Sequence, residues 1–224
     1  MLQQKNNHVG SLLLRKKVYN QLKKDIISCA LPPGEDITES DLSSRFEISK
    51  SPVRDALMML EREGLVISSP RQGYRVAPVS ISDMFDMFHL RAALERANVE
   101  RIIQYSTDQE LKELDLFKTF SDKDWPDGFV SYNKAFHHRL AKMGKNRRMA
   151  EQLIDLIDLM ERAVMISVSN LKRGDPQDLV LEHAELINAI QSRLVKQAQK
   201  IAEKHILEAS KRVNKALTRK VIVK

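Results

Sequence analysis

Pro78 divides this sequence into two stretches with different periodicities, and that division limits the folds open to it. Before it, short helical patterns give way to two β-prone runs, "LVISS" and "YRVAP", around "PRQG". Beyond it no strand pattern returns. "SISDMFDMFHLRAALERANVERIIQ" opens a series of helix-length segments broken by "STDQ", "DKDWPDG", "MGKN" and "KRGDP", all rich in turn formers. The expectation is a mainly α chain in two parts, 15–78 and 79–224, joined with little linker. Residues 1–14 read as a flexible N-terminal tail.

Within the first part, "RKKVYNQLKKDIISCAL" places Val18, Leu22, Ile26 and Ile27 at helical spacing, and "PPGE" stops that helix. Thr38 can cap a second, shorter helix, with acidic residues in its first turn where the helix dipole favours them. Leu42 and Phe46 form its inner face. For the third helix the expected start is Ser51 as N-cap with Pro52 at the first helical position, and Gly64 is the stop. Val53, Ala56, Leu57 and Leu60 make its buried stripe. A hairpin follows, with Gly73 at its tip. Helix, helix–turn–helix and hairpin in that order are the layout of a winged helix-turn-helix: three helices plus a β-hairpin wing. The third helix opens on Ser49, Lys50, Ser51 and Arg54, donors that can reach outward and that its packed stripe does not need.

The second part reads as an all-α antiparallel bundle of about six helices. The first is capped near Ser80 or Ser82, and the others cover about 107–121, 128–144, 147–172, 177–192 and 195–217, with ends uncertain by ~2–4 residues. Three histidines, His137, His183 and His205, fall on the apolar faces of three of these helices. One such histidine is more often a core residue bonded to a backbone carbonyl. Three, each from a separate helix, point to a metal site, because bundle cores assemble ligands from facing helices and imidazole suits zinc or nickel. Asn133, one turn before His137, can add a neutral amide oxygen, leaving an anionic ligand to supply charge. Arg91 has two readings: a partner for Glu95 one turn on, or a guanidinium that clamps a carboxylate effector.

Composition narrows the function classes. The single cysteine, Cys29, excludes an internal disulfide framework and fits a reducing compartment. No apolar run approaches the ~18–20 residues that span a bilayer, so no membrane role and a cytoplasmic location are expected. The net charge of +7 leaves the region up to Pro78 mildly basic, compatible with a polyanion partner. A metal-dependent hydrolase built on the three histidines would need a placed general base and would leave the N-terminal module unexplained. The expectation is therefore a binding protein, not an enzyme, with a sensor of the metal ion itself as the alternative.

"LPPGEDITESDLSSRFEISKSPVRDALMMLEREGLV" with "PRQGYRV", then "LRAALE", "NKAFHHRL", "LEHAELINAI" and "EKHILEA", resemble in order and spacing a GntR-superfamily transcription regulator of the FadR subfamily, with an FCD-type C-terminal domain. The resemblance covers almost the whole chain after the tail. It implies that the third helix enters the major groove of double-stranded DNA. Ser49, Lys50, Ser51 and Arg54 would then contact DNA, with Arg71 and Gly73 on the wing. The family usually has arginine where this chain has Lys50, and aspartate where it has Asn133. The resemblance further implies a metal held by Asn133, His137, His183 and His205, a small carboxylate effector, and a homodimeric repressor on a two-fold operator.

Overall fold

In the computed structural model, residues 2–70, 72–125, 128–169 and 176–221 are described. The chain forms two compact units, Met1–Val79 and Ser80–Lys224.

The first unit contains α1 (Leu2–Ile27), β1 (Asp36–Ile37), α2 (Glu39–Phe46), α3 (Lys50–Arg62), β2 (Val66–Ser69) and β3 (Gly73–Val76). Its core forms where Val18, Leu22 and Ile26 of α1 meet Val53, Leu57 and Leu60 of α3 and Leu42 of α2, all buried. The expected stripes are the ones that pack. Thr38 caps α2, its hydroxyl accepting from the Asp41 N–H at 3.1 Å. Gly64 takes φ +68° just past α3, and Leu65 N–H closes on Leu60 C=O at 2.9 Å, satisfying a carbonyl that the helix end leaves open.

Several expectations are corrected. The stretch expected as a tail, 1–14, is from Leu2 onward the opening half of α1. The N-cap of α3 is Ser49, not Ser51; it makes no side-chain cap bond, and Pro52 sits third in the helix. Proline costs nothing there either, because N–H groups of the first turn have no intrahelical acceptor. The hairpin gains a third strand, in the order β1-β3-β2, all antiparallel, with Ile37 opposite Tyr74 and Ser69 opposite Gly73. Gly73 is therefore not the wing tip but the first residue of the central strand.

Among its described residues the second unit has only helical elements: α4 (Ile81–Tyr105), α5 (Asp108–Lys112), a 3-10 turn (Glu113–Phe117), α6 (Gly128–Met143), α7 (Arg147–Ser169), α8 (Gln177–Gln191) and α9 (Val195–Val221). Ser80 caps α4, accepting from the Asp83 N–H. The segment expected as one helix over 107–121 is instead α5 continued by the 3-10 turn. A core of Val99, Ile102, Leu114, Tyr132, Phe136, Leu186 and Ile190 holds these helices together. No helix among the described residues is long and apolar enough to cross a membrane.

Candidate functional site

Two places concentrate chemistry, one in each unit. In the first unit it is the start of α3. Ser49, Lys50, Ser51 and Arg54 are exposed there, while Pro52 and Val53 between them are buried. The helix is thus anchored on one side and offers donors on the other. Arg54 is not loose, although its side chain is 59% exposed. Its Nε and Nη2 each donate to the Glu39 carboxylate at 2.8 Å. Those bonds hold the Glu39 carboxyl below its usual range, against some desolvation, and the Lys50 charge adds to the effect. Gly73 has a packing reason for its identity: φ is +94°, and a Cβ there would stand 2.6 Å from the Ile37 carbonyl oxygen. Arg71 lies outside the described residues.

In the second unit the three histidines meet. His137 on α6, His183 on α8 and His205 on α9 are all buried, and their ligand nitrogens lie within 4.8 Å of one another. Each ring is engaged on its Nδ1 side. His205 Nδ1 is 2.6 Å from Glu182 Oε2, which Arg212 also grips. Tyr132 donates its hydroxyl proton to the Phe117 carbonyl at 2.6 Å, so its oxygen accepts from His183 Nδ1 at 3.2 Å. His137 Nδ1 lies 3.1 Å from Glu95 Oε1, off the alignment of a full hydrogen bond, and Arg91 Nε donates to that oxygen at 2.7 Å.

Glu182 and Tyr132 fix the tautomers of His205 and His183, and the Glu95 carboxylate favours the same one for His137. With the proton on Nδ1, every ring turns the lone pair of Nε2 to the centre. His137 Nε2 and His205 Nε2 stand 3.4 Å apart, and His183 Nε2 has no hydrogen-bond partner among the described residues. Three lone pairs directed at one point repel one another unless a cation lies between them. Two nitrogens bound to zinc at ~2.1 Å in a tetrahedral cage would be about 3.4 Å apart, the spacing of the His137–His205 pair, and three imidazoles are a donor set that suits such an ion. Burial pushes the His183 imidazole well below its ordinary pKa. It pushes His137 down to about 4, against the opposing pull of Glu95. Both are therefore neutral near pH 7, the form a metal needs. Burial alone would raise the Glu95 carboxyl, but its neighbours His137 and the Arg91 guanidinium outweigh it and hold the group well below its usual range, and near pH 7 Arg91 is the charge that pairs with it.

Beside the imidazoles lies a cavity of about 40 Å³, lined among others by Arg91, Asn133, His137, His205 and Arg212. Asn133 is there, one turn from His137 as its spacing required. Arg91 pairs with Glu95, the first of its readings, and its buried Nη2 has no hydrogen-bond partner among the described residues. Sequence reasoning missed Glu182, Tyr132 and Arg212, and it gave Glu95 only to Arg91. Glu182 adjoins His183 in sequence but serves His205 on another helix, which no spacing within one helix can reveal. The carboxylates beside the imidazoles are each held by a guanidinium, which suits a rigid ligand cage better than a general base.

The family model described as "Bacterial regulatory proteins, gntR family" matches residues 14–76, and that of the FCD domain matches residues 86–208. The chain is 27% identical over 194 residues to the uncharacterized HTH-type transcriptional regulator YdhC of Bacillus subtilis (strain 168), covering 84% of each chain. It is 24% identical over 204 residues to the HTH-type transcriptional repressor RspR of Escherichia coli (strain K12), covering 89% of each. The solved structure of E. coli McbR/YncC shares the fold, with a TM-score of 0.70 at 19% identity over 87% of this chain and 94% of that one. The matching family models and the relatives YdhC and RspR are those of transcription regulators, not enzymes, which sets the hydrolase reading aside. The winged head, the helical body and these matches together place the chain in the GntR family of DNA-binding transcription regulators with a C-terminal FCD domain.

Proposed function

We propose that this protein is a homodimeric repressor whose hold on a two-fold operator is set by a small carboxylate bound at a divalent metal in its C-terminal unit. The observation that carries the ligand half is the convergence of three buried imidazoles, each with an oxygen close behind its Nδ1. His137, His183 and His205 would hold zinc or nickel, with the Asn133 amide oxygen as a further donor. Bound there, the metal supplies a Lewis-acidic anchor for a carboxylate oxygen. Asn133 adds no negative charge, so an anionic ligand suits the site. The buried Arg91 Nη2 is the donor left for its second oxygen. The DNA half rests on Ser49, Lys50, Ser51 and Arg54 at the exposed start of α3, with the repressor sense supported by a relative named as one.

For the effector to change DNA occupancy it must bind one arrangement of the protein better than another. A tenfold change in operator affinity requires a differential binding energy of about 1.4 kcal/mol. The 40 Å³ cavity favours a second reading, in which the ion itself is the effector, because it holds little beyond one or two waters. Native mass spectrometry with zinc or nickel should show one ion per chain, lost in His183→Ala. Operator binding is then compared for the apo protein, the metal-loaded protein, and the metal-loaded protein with a series of small carboxylates. A shift only with an acid supports the leading reading. A shift with metal alone supports the sensor. No ion in the wild-type chain would sink both.

A further inference from the structure

Glu39 is the first residue of α2, yet its carboxylate is engaged at the exposed leading end of α3. It takes Arg54 side-on, through Nε and Nη2, both at 2.8 Å. Side-on engagement consumes the inner edge of the guanidinium. It leaves the outer end, Nη1 and the second Nη2 hydrogen, pointing away from Glu39. That outer end is the fork which donates to both O6 and N7 of a guanine. An ion pair this exposed contributes little to stability, so packing does not account for it. Arg54 freed of Glu39 would sample many rotamers and meet a phosphate as readily as a base. The acidic charge at this end also repels backbone phosphates wherever the fork finds no base partner.

We propose that Glu39 is a positioning residue for base reading: its carboxylate fixes the Arg54 fork toward a base edge and penalises non-specific phosphate contact. The inference rests on the reading above that Arg54 meets DNA. Glu39 acts through Arg54 and needs no contact with a base.

The test starts from duplexes selected from random-sequence DNA by the wild-type protein. Affinity for a selected duplex and for a scrambled one is measured at one salt concentration for wild type, Glu39→Gln, Arg54→Ala, Arg54→Lys and Glu39→Gln/Arg54→Lys. In Glu39→Gln the ratio of specific to non-specific affinity should fall about tenfold, with non-specific affinity unchanged or higher. In the Arg54→Lys background, where no fork exists, Glu39→Gln should have no further effect on the ratio. If Arg54→Ala lowers the ratio and Glu39→Gln does not, the proposal fails and the reading of Arg54 stands. If Arg54→Ala leaves the ratio unchanged, both fail. An equal loss on every DNA, with a lowered melting temperature, would make Glu39 merely structural and overturn the proposal.

Discussion

Gly73 shows how one residue can be read for the wrong reason. A glycine between β-prone runs near "PRQG" suggests a turn apex, and the resemblance gives it a place on the wing. Its φ of +94° and the 2.6 Å approach of a would-be Cβ to the Ile37 carbonyl give it another duty, close passage of β1. The two duties separate in Gly73→Ala. The left-handed conformation alone costs a non-glycine residue of order 1–3 kcal/mol, and β1 must also give way. The urea midpoint of the N-terminal unit should therefore drop. An unchanged midpoint with DNA binding lost would return the glycine to the DNA interface. The histidines were legible because each lay on an apolar stripe. Their outer partners were not, because Glu182, Tyr132 and Glu95 each reach a histidine on a different helix.

Among the elements, α3 was the most legible, since the apolar spacing of Val53, Ala56, Leu57 and Leu60 leaves little choice of face. Leu57 and Leu60 are fully buried while Lys50 and Arg54 are exposed on the same helix. Leu57→Ala should cost about 2–5 kcal/mol, a large part of the stability of so small a unit. Lys50→Ala should leave the unfolding midpoint where it is and weaken only DNA binding. Chemical denaturation of the two variants side by side decides this, and equal destabilisation would mean that α3 is not two-faced. β1 escaped the sequence because two residues, Asp36 and Ile37, cannot display an alternation of period two. The break between α5 and its 3-10 continuation was equally hidden, for "ELDLF" keeps helical spacing through it. Helix ends drifted by a residue or two, as at Ser49, because several serines there can serve as caps.

For the whole molecule, the division into two units and the mainly α class were both visible in the loss of strand pattern at Pro78. The centre of the C-terminal unit has a consequence for how the chain unfolds. A ligand that binds only the folded form stabilises it by RT ln(1 + [L]/Kd), about 2.7 kcal/mol at a hundredfold excess over Kd. For a unit of this size each kcal/mol moves the midpoint by roughly 2–4 °C. Zinc or nickel at that excess should therefore raise the melting of Ser80–Lys224 by roughly 5–10 °C. The melting of Met1–Val79, whose described residues hold no such histidine cluster, should stay unmoved. Circular dichroism follows the helices of both units, and the single tryptophan, Trp125, packed against Phe117 and Tyr132, reports on the second alone by fluorescence. His183→Ala removes one of the converging nitrogens and should abolish the rise. A rise that survives in His183→Ala, or none in the wild-type chain, would mean that the three imidazoles are core residues and not a metal cage.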